Sequence, residues 1–291
     1  QVVIAGTMLG VSEAMSYAVR SGLDPRTVLQ SIGGGAAGMT AALNLARQGY
    51  PVHLVEKTDT LGGTALKLRH TWKGEDIQGF VKDLVRQVSE HPKITLHFNT
   101  EVVKSSGFVG NFTTTLSGQG RSEEIHHGAV ILATGFDLFN PAAMPQYGYG
   151  RHPDVLTGLQ FERLLSPNGP TGGRVLRHDG SEPRAIAFLH CIGSRDESHH
   201  PYCSRICCMY NLKQAMLARE RTGARVYDFY IDIMAFGKGY QEFYQRAREE
   251  GVVFTRGKCS EVLRCGDRLL VLAEDTLLGR PLQVEVDMVV L

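Results

Sequence analysis

The clearest hydrophobic pattern in the chain runs from Ile32 to Lys57. Met39, Ala42, Leu43, Leu45 and Ala46 recur at helical spacing, and Val52, His53, Leu54 and Val55 follow as a short run ending at Glu56. This predicts a glycine turn, a helix closed by Gly49, a tight turn and a strand. A second helix is predicted over Glu75 to Glu90, with Ile77, Phe80, Val81, Leu84 and Val88 on one side. A strand over Ile94 to Phe98 comes next. Val102–Val109, Phe112–Ser117 and Glu123–His127 then read as a small antiparallel layer. Ala129 to Leu132 is apolar throughout, as suits a buried parallel strand.

Residues 136–183 are rich in Pro and Gly and are read as the crossing between domains, with one helical patch, LTGLQFERLL. A second β-α-β series follows. Strands are predicted at Ala185–His190, Arg225–Ile231 and Val252–Thr255, and helices at Cys203–Arg221 and Tyr240–Glu250. Ser260–Arg264 pairs with Leu269–Ala273, and Val284 to Leu291 forms a last apolar strand. The expected fold is α/β with two Rossmann-type dinucleotide-binding domains, over 33–150 and 151–291, preceded by a helical segment, 1–32. Within that segment VVIAGTMLGVSEAMSYAVRSG reads as one helix. Asp24-Pro25 opens a second short helix through TVLQSI. That helix competes with the strand that should precede Gly33, which Val28–Ile32 could supply only as a makeshift.

Composition changes this picture little. The chain has 291 residues, is 43% hydrophobic and 21% charged, and carries a net charge of +1, so neither nucleic acid nor an acidic surface is indicated. No stretch of 18 apolar residues predicts a membrane span. Gln1 in place of Met and the lack of a signal-peptide pattern suggest an excerpt of a longer protein. There are six cysteines, and four lie between Cys191 and Cys208, which points to metal or redox chemistry in a reducing compartment, the cytoplasm.

The first candidate chemistry is Gly33-x-Gly35-x-x-Gly38. Gly33 permits a sharp exit from a strand, Gly35 lets the backbone approach a pyrophosphate, and Gly38 allows close helix–sheet packing. Ala36 is a further expected cofactor contact, and the helix that begins near Ala37 would point its N-terminal dipole at the phosphates. Glu56 is placed to accept the ribose hydroxyls, with Lys57 beside it. The bland alternative is an ordinary glycine-rich strand–helix turn. Further cofactor contacts are expected at the Gly62-Gly63 loop, at Val102 and at the Ala133-Thr134-Gly135 turn.

The second is CIGSRDESHHPYCSRICCMY. Cys203 and Cys207 would share a helical face, Cys208 would point elsewhere, and Cys191 would arrive from a strand end. Four thiolates converging in this way suit a [4Fe–4S] cluster or zinc. Arg205 and the helix N-terminus would favour thiolate. A buried apolar set and a redox dithiol are the other readings. No Ser/His/Asp arrangement or HExxH is found, so no catalytic side chain is assigned. His199 and His200 are expected as solvated loop residues, and Tyr227 and Phe229 as core. Trp72 has no assigned place.

IGGGAAGMTAALNLARQGY, the LGG loop, HTWKGEDIQGFVKDLV, GFVGNFTTTL, ILATGF, YGYGRHPDVLTGLQFERLL and CIGSRD…PYCSRICCMYNLKQA together resemble the A subunits of heterodisulfide reductases, over residues 33–291. The resemblance implies a thioredoxin-reductase-like core, FAD, iron–sulfur clusters and electron transfer, often with bifurcation. It implies as partners the B and C subunits of the reductase, a hydrogenase or formate dehydrogenase module, and ferredoxin. Cys191, Cys203, Cys207 and Cys208 would hold the [4Fe–4S] cluster. Against the family pattern, its N-terminal cluster segment and inserted ferredoxin domain are missing, and the chain stops before a second flavin-contacting turn. Residues 1–38 resemble instead the C-terminal domain of 3-hydroxyisobutyrate (β-hydroxyacid) dehydrogenases, without that family's lysine, which implies a chimera. The rival functions are an NAD(P)H-dependent FAD disulfide or quinone reductase, a β-hydroxyacid dehydrogenase fragment and a non-catalytic assembly subunit.

Overall fold

The computed structural model describes Leu29–Ile32 as backbone and residues 35–291 in full. The helices expected before Leu29 lie outside the described residues. Two compact units emerge, one ending at Asp137 and one made of Trp72–Gly74 and Leu138–Leu291.

In the first unit the elements are β1 (Leu29–Ile32), α1 (Ala36–Arg47), β2 (Val52–Val55), α2 (Ile77–Glu90), β3 (Ile94–His97), β4 (Thr100–Phe108), β5 (Asn111–Gly118), β6 (Arg121–His127) and β7 (Ala129–Leu132). Strands β3-β2-β1-β7 form one parallel sheet in that order. β1 therefore lies between two partners, with Gln30 opposite His53 and Val130. This corrects the helix expected through TVLQSI: pairing on both sides outweighs the weak strand propensity of Gln30 and Ser31. The α1 face carrying Met39, Ala42 and Leu45 packs on Leu54 and Ile131, and Val81, Leu84 and Val88 of α2 close the same core. Asp76 caps α2 by accepting from the Gln78 and Gly79 N–H groups. β4, β5 and β6 form the expected antiparallel layer, held by Leu116 and Ile125 against Val55.

The second unit continues with β8 (Val155–Leu156), α3 (Gly158–Leu165), β9 (Ala185–Leu189), α4 (Cys207–Thr222), β10 (Arg225–Tyr230), α5 (Tyr240–Glu249), β11 (Val253–Arg256), β12 (Cys259–Cys265), β13 (Arg268–Asp275), β14 (Arg280–Val286) and β15 (Met288–Val290). Its parallel sheet has the order β11-β10-β9-β15-β8. Central strand β9 is buried on both faces. Ile186 and Phe188 join the core formed with α4 and α5, while Ala185, Ala187 and Leu189 join the core formed with the β12-β13-β14 sheet. Trp72 packs edge-on against Tyr240 and Phe243, both at 5.3 Å between ring centres.

The single strand expected over Val284–Leu291 is two strands, broken at Asp287. One Asp287 carboxylate oxygen accepts the N–H groups of Arg184 and Ala185, at 2.7 and 2.9 Å. The other accepts from Arg268 Nε at 3.0 Å. The carboxylate thus holds the start of β9 just where the chain passes from antiparallel β14 to parallel β15. The helix expected from Cys203 begins only at Cys207.

Candidate functional sites: a glycine edge and a cysteine loop

The fingerprint turn lies between β1 and α1, at the carboxyl end of the first parallel sheet. Gly33 lies outside the described residues. Gly35 is the N-cap of α1, with no side-chain cap and no acidic residue in the first helical turn. A Cβ added at Gly35 would meet nothing within 4 Å among the described residues, so the backbone faces open space there. An anionic group could approach the helix N-terminus through that space. Ala36 begins the helix, and Gly38 is buried against the sheet.

The LGG loop comes to the same place. Gly35 and Gly62 form an isolated parallel bridge. Gly62 has φ +116° and Gly63 φ +51°, and a Cβ on Gly63 would stand 3.5 Å from the Gly35 Cα. Gln78 holds the loop by donating to the carbonyls of Ala65, Leu66 and Leu68. Sequence reasoning missed this glutamine, because nothing in its spacing marks it. On the other side of β1, Ala133, Thr134 and Gly135 leave β7; Gly135 has φ +74° and open space at its Cβ position. Leu132 and Phe136 flank this turn and are exposed apolar side chains.

Glu56 follows β2, as its position in the sequence implied, and is buried. Its Oε1 accepts from both the N–H and the hydroxyl of Thr58, each at 2.8 Å. Thr58, which sequence reasoning passed over, thus fixes the carboxylate before any ligand arrives. Lys57 is exposed, and Val102 is half-buried beside the Val55–Leu116–Ile125 cluster. The donor geometry fits a dinucleotide: an uncapped helix end, a glycine edge without side chains and a fixed acid at the next strand end.

The four cysteines lie at the carboxyl end of β9 and the start of α4. Cys191, Cys207 and Cys208 are buried and Cys203 is partly so; all are free thiols. Cys203 precedes the helix, so the shared helical face expected for Cys203 and Cys207 does not form. A turn with Arg205 at φ +65° separates them. Cys191 and Arg195 also take positive φ, at 57° and 54°, conformations that side chains disfavour and that concentrate at functional loops.

Two of the sulfurs accept hydrogen bonds. Arg205 N–H donates to Cys203 Sγ at 3.4 Å, and the Ser204 hydroxyl to Cys207 Sγ at 3.3 Å. Cys208 in turn points its thiol at the Asp232 carbonyl, 3.7 Å away. The neighbouring Cys208 thiol is the main cause that brings Cys207 down to about 5, against burial. Ser204 and His190 assist. Burial pushes Cys191 up to about 11. The donor chemistry suits thiolate ligands. Among the described residues, however, no three His, Cys, Asp or Glu side chains already stand as a metal-binding group.

Behind the cysteines, His190 Nε2 lies 3.0 Å from Asp228 Oδ2, both side chains fully buried. Burial opposes charge on His190, and the Asp228 carboxylate outweighs it, raising the histidine above its ordinary value. This pair was not anticipated, since a histidine ending a strand and an aspartate inside one read as unrelated residues. His199 and His200, expected as solvated, lean edge-on against the Phe139 ring at 5.5 and 5.8 Å. Phe229 is core, as expected, and Tyr227 packs against the same cluster.

Residues 31–165 match the family described as pyridine nucleotide-disulphide oxidoreductase. The chain is 34% identical to the first iron-sulfur A subunit of CoB–CoM heterodisulfide reductase from Methanopyrus kandleri, over 89% of this chain and 52% of that protein. It is also 34% identical to the A subunit of the ferredoxin:CoB-CoM heterodisulfide reductase of Methanosarcina mazei, over 89% of this chain and 43% of that one. The chain is a relative of the heterodisulfide reductase A subunits. It spans about half the length of those relatives. Both comparisons place it in an oxidoreductase family.

Solved structures agree on the fold. Thioredoxin reductase of T. acidophilum superposes with a TM-score of 0.56 at 16% identity, covering 90% of this chain and 75% of that one. The Lactococcus lactis thioredoxin reductase gives 0.57 at 14%, covering 91% and 76%. The fold is therefore that of two dinucleotide-binding units of the thioredoxin reductase type. The pyridine nucleotide-disulphide oxidoreductase match supports a flavoprotein. Where a nicotinamide-binding domain carries its glycine fingerprint after the first strand, this chain carries Cys191-Ile192-Gly193-Ser194. No helix among the described residues is long and apolar enough to cross a membrane.

Proposed function

We propose that this chain transfers electrons between FAD, held by residues 33–150, and a [4Fe–4S] cluster, held by residues 151–291, as part of a heterodisulfide-reductase-like complex. The observation that supports it best is the position of the four cysteines. They lie at the carboxyl end of β9 and the start of α4, the place where open α/β sheets bind ligands, and the sulfurs of Cys203 and Cys207 accept hydrogen bonds of the kind that steady thiolate ligands. Cys191, Cys203, Cys207 and Cys208 would hold the cluster, and Cys208 must give up its thiol proton to do so. A cubane takes four thiolates, which this loop offers; zinc would accept the same donors.

FAD supplies the exchange between two-electron and one-electron chemistry when bound. The chain's part is to place it. Gly35 and the α1 N-terminus would receive the pyrophosphate, Glu56 the ribose, and the Gly62-Gly63 and Ala133–Gly135 turns would line its length. Proteins resembling the B and C subunits of heterodisulfide reductase, a hydrogenase or formate dehydrogenase module and ferredoxin are the proposed partners. The ferredoxin in the name of the M. mazei relative supports the last of these. Bifurcation of electron pairs belongs to the same proposal. Six free thiols suit a reducing compartment such as the cytoplasm.

One observation favours a second reading. Cys207 and Cys208 are adjacent, buried free thiols, with Cys207 brought down to about 5, so the loop could act as a redox dithiol that exchanges with a disulfide substrate. Anaerobic reductive titration separates the two. The cluster reading expects broad visible absorbance beyond the flavin bands that bleaches on reduction and is lost in Cys191→Ser. The dithiol reading expects flavin bands alone, with two further electrons taken up per chain and uptake lost in Cys208→Ser.

A further inference from the structure

The chain between Cys191 and Cys203 folds back on itself. The Gly193 carbonyl accepts the His200 N–H and the Tyr202 carbonyl accepts the Arg195 N–H, both at 3.1 Å, and Ser194 bridges His200. Asp196 closes the tip. Its carboxylate accepts the Ser198 N–H at 3.0 Å, and its own N–H donates to the His200 carbonyl at 3.1 Å. Cys191 stands just before the base of this loop, and Cys203 leaves it directly after Tyr202. A loop closed at its base brings its two ends together, and with them these two cysteines. Cys191, Gly193 and Arg195 all take positive φ, at 57°, 72° and 54°. Two of the three are not glycine, so this conformation persists only where neighbours hold it.

Three contacts hold the loop from outside. Arg195 pairs with Asp232 at 2.8 Å, and Asp196 with Lys258 at 3.0 Å. Both pairs are partly open to solvent, where such pairs contribute little. The third contact is apolar. The Phe139 ring points its tip at Gly193, a buried residue, and a Cβ there would collide with three atoms of the ring. The same ring meets His199 and His200 edge-on, at 5.5 and 5.8 Å between centres, a favoured arrangement for flat rings. It also packs against the core shared with the β12-β13-β14 sheet. One side chain therefore joins the base of the loop, its returning limb and the core.

We infer that Phe139 is the positioning residue of the cysteine site: its ring, wedged between Gly193 and the His199–His200 limb, holds the loop closed so that Cys191 and Cys203 converge before any metal arrives. The inference rests on the reading of the four cysteines as one site and names the residue that sets half of its geometry. Phe139 acts through the backbone of the loop rather than on the sulfurs. Cys207 and Cys208 need no such help, because they lie on the first turn of α4. Without the ring, a bound metal would itself have to order the loop. Ligands already in place bind more tightly, since that ordering has been done beforehand.

The test uses the whole chain, metal-free and reduced, carrying Cys207→Ser and Cys208→Ser so that Cys191 and Cys203 are the pair read. Phenylarsine oxide is the probe, because its arsenic binds two thiols at once only where they converge. Cys259 and Cys265 stand at opposite ends of β12 and cannot share one arsenic. Affinity is measured by competition with a free dithiol, for this parent and for added Phe139→Ala, Phe139→Leu and Tyr244→Ala. Tyr244 lies on α5 and makes an edge-on contact of the same kind, with Phe254 at 5.0 Å. Circular dichroism confirms folding, and urea midpoints give stability. The expected result is binding that is lost in Cys191→Ser, weakened at least about tenfold by Phe139→Ala, less by Phe139→Leu, and unaffected by Tyr244→Ala. A Phe139 that only fills space would lower the urea midpoint and leave the arsenical affinity unchanged, which would overturn the inference. So would a parent chain in which Cys191 and Cys203 do not bind arsenic together, or equal weakening by Tyr244→Ala. Should Phe139→Ala fail to fold, Phe139→Leu carries the same test. The readout does not depend on iron. Phe139-dependent binding in a chain that takes up no iron or sulfide would uphold the loop and remove the cluster. A full cluster in a chain whose arsenical affinity ignores Phe139 would do the reverse.

Discussion

Gly35 and Gly62 lie opposite each other in a parallel bridge, so two loops from distant parts of the first unit make one edge without side chains. The two glycines are constrained differently. Gly62 has φ +116°, and a Cβ there would lie 2.7 Å from the Leu66 side chain. Gly35 has φ −70°, which any residue can adopt, and open space around its Cβ position. Architecture accounts for the first, whereas the proposed flavin site would account for the second.

Substitution of Gly35 by Ala should therefore leave folding intact. The urea midpoint should stay level or rise, by up to about 1 kcal/mol of stability, because Ala narrows the unfolded ensemble. Flavin retention through gel filtration should nevertheless fall. Loss of stability together with flavin would show that Gly35 serves packing.

Glu56 is the acid at the end of β2, already fixed by Thr58. Glu56→Ala should weaken FAD by roughly 1.5–3 kcal/mol, the worth of a hydrogen bond to a charged group. Isothermal titration of flavin into deflavinated protein measures this. An unchanged affinity would remove Glu56 from the site.

His53 and His97 meet at 2.8 Å on neighbouring strands, and burial is the main cause that lowers both from the ordinary histidine value. A histidine lowered on folding favours the neutral form. Its contribution to stability is complete above the unfolded value of about 6.5 and is lost as pH falls below it. Urea midpoints should drop between pH 7.5 and pH 5.5, and the drop should shrink in the His53→Gln/His97→Gln double variant. An equal drop in both proteins would assign the acid sensitivity elsewhere.

In metal-free, reduced protein Cys207 should be thiolate well below neutral pH. Alkylation by iodoacetamide, followed by peptide mapping, should show Cys207 modified with an apparent pKa near 5. Cys208→Ala and Ser204→Ala should each raise that value, since one removes the neighbouring thiol and the other a hydrogen-bond donor. A profile centred near the ordinary thiol value of about 8.5 would contradict the geometry.

Much of the fold was legible because its parallel strands are short apolar runs between amphipathic helices. Ala185–Leu189 and Ala129–Leu132 could be read directly from this pattern. Where the pattern failed, tertiary partners were responsible. Leu29–Ile32 is a strand because β2 and β7 flank it, and Gln30 and Ser31 give no hint of this. Asp287 splits a run that looks continuous, because its carboxylate is needed by Arg184, Ala185 and Arg268. The glycine spacing marked the candidate dinucleotide edge, and the cysteine count marked the candidate second site. The late start of α4 was hidden, since positive φ at Arg205 has no local sequence signal. Pairs such as Glu56–Thr58 and His190–Asp228 depend on geometry that spacing does not encode.

The central claim is a metal cluster on Cys191, Cys203, Cys207 and Cys208. Its most direct test is iron, zinc and acid-labile sulfide analysis of anaerobically purified chain, with Cys203→Ala and Cys265→Ala as paired variants. The account predicts about four iron and four sulfide per chain, lost or depleted in Cys203→Ala and retained in Cys265→Ala, because Cys265 is an exposed cysteine at the end of β12. Zinc in place of iron and sulfide, or a metal-free chain that cycles a Cys207–Cys208 disulfide, would contradict it.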